Sequence, residues 1–110
     1  ATILLTDILR SGGRNLEAID AINRTLMKSP GDASLIHLRG LIHLKLKEYN
    51  LALEDLGQAS ELAPGQWLYG YRYAVALFQL QHLDKAREVT RELLLRFPDN
   101  PRLRALMQHL

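Results

Sequence analysis

The chain has 110 residues, of which 47% are hydrophobic and 24% are charged, and its net charge is +2. This balance is typical of one folded domain with one core, and it excludes an intrinsically disordered segment. The mild charge contains no run of one sign, so no nucleic-acid binding is expected, and the absence of cysteine excludes disulfides and thiolate metal sites.

The sequence also bears on membrane association. No apolar run reaches the roughly 18 residues that a membrane span needs, so no membrane insertion is expected. We therefore expect a soluble protein of the cytoplasm or the periplasm, and the sequence leaves the choice of compartment open. The first and last residues both fall inside helical patterns, which indicates a segment of a longer protein.

Apolar residues recur at helical spacing in seven segments, which predicts an all-α protein. The first helix is expected at residues 1–11, ended by Gly12 and Gly13, and Asn15 is expected to cap the second. Asp32 and Asn100 are the expected caps of the third and the seventh helix. The third to seventh helices are predicted at residues 33–46, 50–62, 67–80, 84–97 and from 101 onward.

Two residue types recur along the chain with a period of 34 residues. The alanines are Ala18, Ala52 and Ala86, and the prolines are Pro30, Pro64 and Pro98. Small side chains at the alanine positions allow two helices to pack closely. Each helix pair leaves an apolar face uncovered, so successive pairs have to stack on one another.

This pattern resembles the tetratricopeptide repeat family. Four residues of the middle copy match the family pattern: Gly40, Ala52, Leu56 and Pro64. Three others replace its usual Trp, Leu and Tyr: Ile36, Arg39 and His43. The resemblance implies a right-handed α-α superhelix, a solenoid, that forms one domain over residues 1–110. Its parts are repeats at 1–32, 33–66 and 67–100 and a capping helix at 101–110.

The residues that could carry chemistry favour structural roles. The four histidines (His37, His43, His82 and His109) form no i, i+4 pair, so no metal site is expected, and no cofactor site is recognised. No nucleophile accompanies a base and an orienting group, so the chain is not expected to be an enzyme. His43 is interpreted as a packed residue, and Asp55 is expected on a solvated helix face with Glu54 and Glu61.

In the family, the first helix of each repeat lines a concave groove that binds peptides or helices of partner proteins. The resemblance therefore implies a protein–protein interaction scaffold or adaptor whose partner remains unidentified. The alternative is self-association, as an oligomerisation domain or as a docking domain within a larger protein. By position, the implied groove residues are Leu4, Asp7, His37, Leu38, Leu41, Lys45, Leu68, Tyr71, Arg72, Val75 and Gln79.

Two finer expectations concern this groove. Chaperone-docking members of the family bind a C-terminal carboxylate through Lys, Asn and Arg side chains, and of that set only Arg72 is present here. A matching peptide would instead carry an apolar stripe, with an acidic group toward Arg72 and a basic group toward Asp7.

Trp67 is predicted to be largely buried, because Gly70 leaves a gap that the indole could fill.

Overall fold

The structure, a computed structural model, describes residues 14–110. This part of the chain contains six α-helices and no strand, which confirms the all-α prediction. The predicted first helix, with its end at Gly12 and Gly13, lies outside the described residues. From the third predicted helix onward, every predicted boundary that falls within residues 14–110 agrees within one residue. The helices are α1 (Asn15–Lys28), α2 (Ala33–Lys45), α3 (Tyr49–Leu62), α4 (Trp67–Gln79), α5 (Leu83–Arg96) and α6 (Pro101–His109).

Each helix packs against the next one along the chain, which builds a helical-repeat solenoid. The recurring alanines Ala18, Ala52 and Ala86 are completely buried. At Gly40 of α2, an added Cβ would lie only 3.0 Å from Leu56 of α3. These positions are therefore the close contacts that the 34-residue pattern predicts, where a larger side chain would push the helices apart.

The turns between paired helices repeat the same backbone geometry. Lys47 after α2 and Gln81 after α4 both have positive φ angles, of 61° and 68°. In each turn an amide reaches back five residues, from Glu48 to the His43 carbonyl and from His82 to the Leu77 carbonyl. This is the Schellman pattern, which satisfies the last carbonyl groups of a helix. The two turns lie one repeat apart, so the repeat extends to the backbone conformation.

The helix starts agree with two of the three predicted caps. The Asp32 carboxylate accepts hydrogen bonds from the amides of Ser34 and Leu35, and the Asn100 side chain caps α6 in the same way. The prediction for Asn15 was wrong. Asn15 is the first residue of α1 and its side chain is buried, while Arg14 takes the cap position without a side-chain cap bond. An ion pair between Arg14 and Glu17 spans that first turn instead.

Helix α6 covers the last helix pair. It packs against α5 and buries Leu103 and Leu106. The guanidinium of Arg87 on α5 also donates to the Leu110 carbonyl, at 2.6 Å. The apolar residues of α6 and this hydrogen bond together fix the helix on the stack.

Candidate functional site

The first helices of two successive repeats, α2 and α4, touch each other directly. The ring of His37 on α2 stacks on the ring of Tyr69 on α4, with centroids 4.4 Å apart and planes inclined by 24°. Helix α3 packs against both α2 and α4. The two first helices therefore lie side by side, and we call the surface that they form the first-helix face.

His37 is an unusual member of this contact because only 6% of it is exposed. Its Nε2 atom is buried and has no hydrogen-bond partner among the residues that the structure describes. Burial, followed by the positive charge of Arg72, lowers the pKa of His37 below its ordinary value. The imidazole is consequently neutral at pH 7, with one polar atom unsatisfied.

A second aromatic contact lies within α4. Trp67 and Tyr71, one helical turn apart, meet edge to face with centroids 5.8 Å apart, and both are half-buried. The prediction that Trp67 fills a gap at Gly70 was wrong. An added Cβ at Gly70 would lie 2.6 Å from Leu93 Cδ2, so a leucine of α5 already occupies that space. Trp67 instead contacts the ring of Tyr71.

A polar network joins α1, α2 and α3 elsewhere in the fold. The Arg39 guanidinium donates to both Asp55 carboxylate oxygens at 2.8 Å and to Asn23 at 2.8 Å. The hydrogen bonds with Asp55 raise the pKa of Arg39 above its ordinary value. Asp55 is only 6% exposed, so its predicted place on a solvated face was wrong, because the arginine compensates the buried charge.

His43 belongs to the same network. It is buried, with Nδ1 lying 3.1 Å from Glu48 and Nε2 lying 3.6 Å from Asp55. This confirms that His43 is a packed residue. The network satisfies polar groups between α1, α2 and α3, so its role is structural.

A family model for the tetratricopeptide repeat matches residues 43–110. The chain belongs to the tetratricopeptide repeat family. No curated protein sequence matches the chain. The family-model match covers more than half of the sequence and includes the helices from α3 to α6.

Solved structures with the same fold include several tetratricopeptide repeat domains. The second such domain of human RPAP3, solved in complex with an HSP70 peptide, is 23% identical, with a TM-score of 0.75 and coverage of 94% of this chain and 87% of that one. A tetratricopeptide repeat protein from Parabacteroides merdae is 22% identical, with a TM-score of 0.79 and coverage of 93% and 40%. At these identities the likeness shows the fold.

One similar structure belongs to an enzyme. The O-GlcNAc transferase of Thermobaculum terrenum is 28% identical with a TM-score of 0.70, and the match covers 92% of this chain. It covers only 19% of the transferase chain. The similarity therefore concerns a small part of that enzyme.

The tetratricopeptide pattern assigned eleven residues to a groove, and the structure describes nine of them. Leu4 and Asp7 lie outside the described residues. His37 is buried, five residues are half-buried and three are exposed. The half-buried residues are Leu38, Leu41, Leu68, Tyr71 and Val75. The exposed residues are Lys45, Arg72 and Gln79.

Two aromatic residues outside the predicted groove set contact members of that set. His37 lies against Tyr69 and within electrostatic reach of Arg72. Neither Tyr69, which packs against the hydrophobic core, nor Trp67 belongs to the predicted groove set, and each contacts a member of it. A usable signal was the helical spacing, since Tyr69 lies three residues before Arg72 and Trp67 four before Tyr71.

Other surface features of the described residues lie away from this set. An open depression of about 490 Å³ beside Arg39 and Asp55 is also lined by Glu54, Glu61 and Tyr73. None of the predicted groove residues lines it. Residues 14–110 contain no cluster of three or more His, Asp or Glu side chains that could hold a metal ion. No helix in that range has the length and apolar character that crossing a membrane requires.

Proposed function

We propose that this domain is a protein-interaction module that binds a peptide or helix of a partner protein across the first-helix face. The observation that carries the proposal is the aromatic pair Trp67–Tyr71, which is only half-buried and neighbours the exposed Arg72. Aromatic and arginine side chains dominate the binding energy of protein interfaces. This pair therefore supplies the anchor that a partner segment needs.

The surroundings of the pair favour an apolar partner segment. Leu68 and Val75 on α4 are half-buried, and so are Leu38 and Leu41 on α2. A peptide that buries such side chains gains binding free energy from the apolar area removed from water. The His37–Tyr69 stack joins α2 and α4 before a partner binds, and such preorganisation lowers the entropic cost of association.

The experiment is affinity capture with quantitative mass spectrometry, using wild-type and variant domains as bait. Tyr71→Ala should remove the main anchor and deplete the specific partner. Tyr49→Ala is the matched control, because Tyr49 is exposed at the start of α3, outside the first-helix face. Depletion by Tyr49→Ala equal to that by Tyr71→Ala contradicts the proposed surface.

The alternative function, self-association or docking onto the rest of a longer chain, is favoured by a different observation. Three large apolar side chains on the second helices of the repeats are strongly exposed. They are Leu16 and Met27 on α1, the latter 84% exposed, and Leu95 on α5, which is 81% exposed. Exposed apolar residues of this size can form an interface if a partner covers them together.

Sedimentation equilibrium over a concentration series tests this alternative. A mass that rises with concentration and returns to the monomer value in Leu95→Lys supports an interface on the second helices. A monomer at every concentration, together with partner depletion by Tyr71→Ala, favours the first-helix face.

A further inference from the structure

Three side chains on α2 and α4 are hydrogen-bond donors without a partner among residues 14–110. They are Lys45 on α2 and Trp67 and Arg72 on α4, and each is exposed or half-buried. Within that range none of them takes part in a side-chain hydrogen bond or an ion pair. Lysine, tryptophan and arginine side chains donate hydrogen bonds but cannot accept them. The first-helix face therefore presents donors that a ligand can satisfy.

The charge of α2 and α4 restricts the ligand group that the aromatic pair can take. These two helices contain no aspartate or glutamate. Arg39 is neutralised by Asp55, which leaves Lys45 and Arg72 as their unpaired positive charges among the described residues. Aromatic rings can bind a cation, but a cationic ligand would meet like charge here. The Trp67–Tyr71 pair therefore suits an uncharged, apolar ligand group.

The donors also distinguish among the backbone conformations that a bound segment can have. A helical segment satisfies its own carbonyls, so the donors that it covers would lose water without gaining a partner. An ordinary extended segment brings one amide for every carbonyl, and α2 and α4 have no carboxylate side chain to accept from those amides. A proline-rich segment in the polyproline II conformation has few amides and exposes its carbonyls, so it matches a surface of donors.

The separation of the two helices suits the same conformation. A polyproline II helix advances about 9 Å in three residues. Packed helices have axes about 10 Å apart, and the ring stack described above shows that α2 and α4 touch. Two prolines three residues apart can therefore reach both helices. One ring would lie against Trp67 and Tyr71 on α4, and the other against Leu38 and Leu41 on α2.

We propose that the first-helix face binds a proline-rich segment in the polyproline II conformation, with two prolines three residues apart that contact the Trp67–Tyr71 pair and the apolar residues of α2. This proposal rests on the proposed function and specifies the partner's chemistry. The indole Nε1–H of Trp67 and the guanidinium of Arg72 donate to main-chain carbonyls of the segment. Arg72 thus serves the backbone of the ligand, in place of the acidic side chain that the sequence pattern predicts.

The test begins with a positional-scanning library of immobilised peptides, acetylated and amidated at their ends, that is probed with the wild-type protein. The expected result is selection of proline at two positions three residues apart, with lysine and arginine disfavoured at both. Selection of apolar residues at the i, i+3, i+4 spacing of a helix, or of Asp or Glu in place of proline, overturns this proposal and leaves the proposed function standing. Retention of no peptide counts against both.

Trp67 is the only tryptophan of the chain, so its fluorescence reports on this site directly. A selected peptide without aromatic residues should shift the emission to shorter wavelength and protect it from iodide, because a proline ring displaces water from the indole. The same peptide with both prolines replaced by alanine should bind at least about tenfold more weakly, since it loses two rings and regains two amides. Binding without a change in emission, or equal affinity of the two peptides, contradicts the proposal.

Two variants test the donors, with affinity measured by calorimetry. Trp67→Phe keeps an aromatic ring but removes the N–H, and Arg72→Met removes the guanidinium. Each should weaken binding of the selected peptide by about fivefold, the equivalent of one hydrogen bond. Arg72 is exposed, so Arg72→Met remains informative if Trp67→Phe unfolds.

Tyr49→Phe is the matched control for these variants. It removes a hydroxyl donor from an exposed residue of α3, outside the first-helix face, and should leave the affinity unchanged. Weakening by Tyr49→Phe equal to that by Arg72→Met, or unchanged affinity in both first-helix variants, overturns the assignment of the donors to the ligand backbone.

Discussion

Arg39 and Asp55 form a two-hydrogen-bond ion pair between α2 and α3, with both N–O distances at 2.8 Å. One repeat later, the equivalent positions hold Tyr73 and Val89. There the ring of Tyr73 lies against Gly57, and a Cβ added to Gly57 would be 3.1 Å from that ring. Gly57 is the equivalent, one repeat later, of Asn23, which accepts a hydrogen bond from Arg39. The same interface is therefore polar in one repeat and apolar in the next.

The first prediction concerns the stability of this pair. Arg39→Leu restores the residue typical of the family but leaves Asp55 buried without compensation, so it should lower the free energy of unfolding by about 2–4 kcal/mol. The double variant Arg39→Leu/Asp55→Val removes both charges and copies Val89, and it should lie within about 1 kcal/mol of the wild type. Urea unfolding measures both. A double variant as unstable as Arg39→Leu would show that the buried charge is not the cause.

This pair also shows how far the sequence can predict the fold. The helical spacing of apolar residues correctly predicts the helices, because that spacing is a local property of each segment. Asp55 was misplaced because a carboxylate is normally solvated, and the compensating Arg39 comes from another helix. Local patterns define which face of a helix a residue occupies, but the neighbouring helix decides whether a charge there is buried.

The candidate site was less predictable for the same reason. Trp67 was expected over Gly70, but Leu93 from α5 fills that space. The stack of His37 on Tyr69 joins two helices whose relative rotation is not encoded in either helix alone. The sequence pattern therefore predicts the helices that form the first-helix face, whereas only the structure shows the side-chain contacts across it.

The second prediction concerns Gly70. A methyl group there would collide with Leu93, so Gly70→Ala should destabilise the domain by about 1–3 kcal/mol despite the better helix propensity of alanine. With Leu93→Ala as the background, the collision is gone and Gly70→Ala should stabilise by about 1 kcal/mol. Thermal and urea unfolding of the four proteins check this reversal of sign. A Gly70→Ala effect of the same sign and size in both backgrounds would rule out the contact.

The third prediction concerns helix caps. Asp32 and Asn100 cap their helices through side chains, whereas Gln66, at the equivalent position before α4, forms no side-chain cap bond. Gln66→Asp should therefore stabilise the domain and Asn100→Ala should destabilise it, each by about 1 kcal/mol. Gln58→Asp, on the exposed surface within α3, is the control and should not stabilise. Equal effects of the two aspartates would indicate a general charge effect.

The fourth prediction concerns pH. Because the pKa of His37 is lowered in the folded state, the unfolded chain binds more protons once the pH falls below the ordinary value of 6.5. The stability that neutral His37 contributes is present above 6.5 and is lost as the pH falls through its folded-state pKa. His37→Phe keeps the stack with Tyr69 but cannot titrate. Urea unfolding from pH of about 7 to about 5 should show a smaller loss of stability in His37→Phe than in the wild type.

Asp32 also loses its stabilising contribution as the pH falls, through a lowered pKa of its own. Hydrogen bonds from the Ser34 hydroxyl and the Leu35 amide lower the pKa of Asp32, so its contribution is lost as the pH falls through that lowered value. The contribution of Asp32 cancels in the difference between the wild type and His37→Phe, since Asp32 is present in both proteins. Identical pH profiles of the two proteins would contradict the burial of a neutral His37.

The proposed function places partner binding on the first-helix face. Once a partner segment has been identified, it can be titrated into the isotopically labelled domain while amide chemical shifts are followed, which locates the binding surface. We expect the largest shift changes on α2 and α4, around Tyr71 and Arg72, and we expect Tyr71→Ala to weaken binding by at least about thirtyfold. Shift changes concentrated on α3 and α5, with unchanged affinity in Tyr71→Ala, would contradict it.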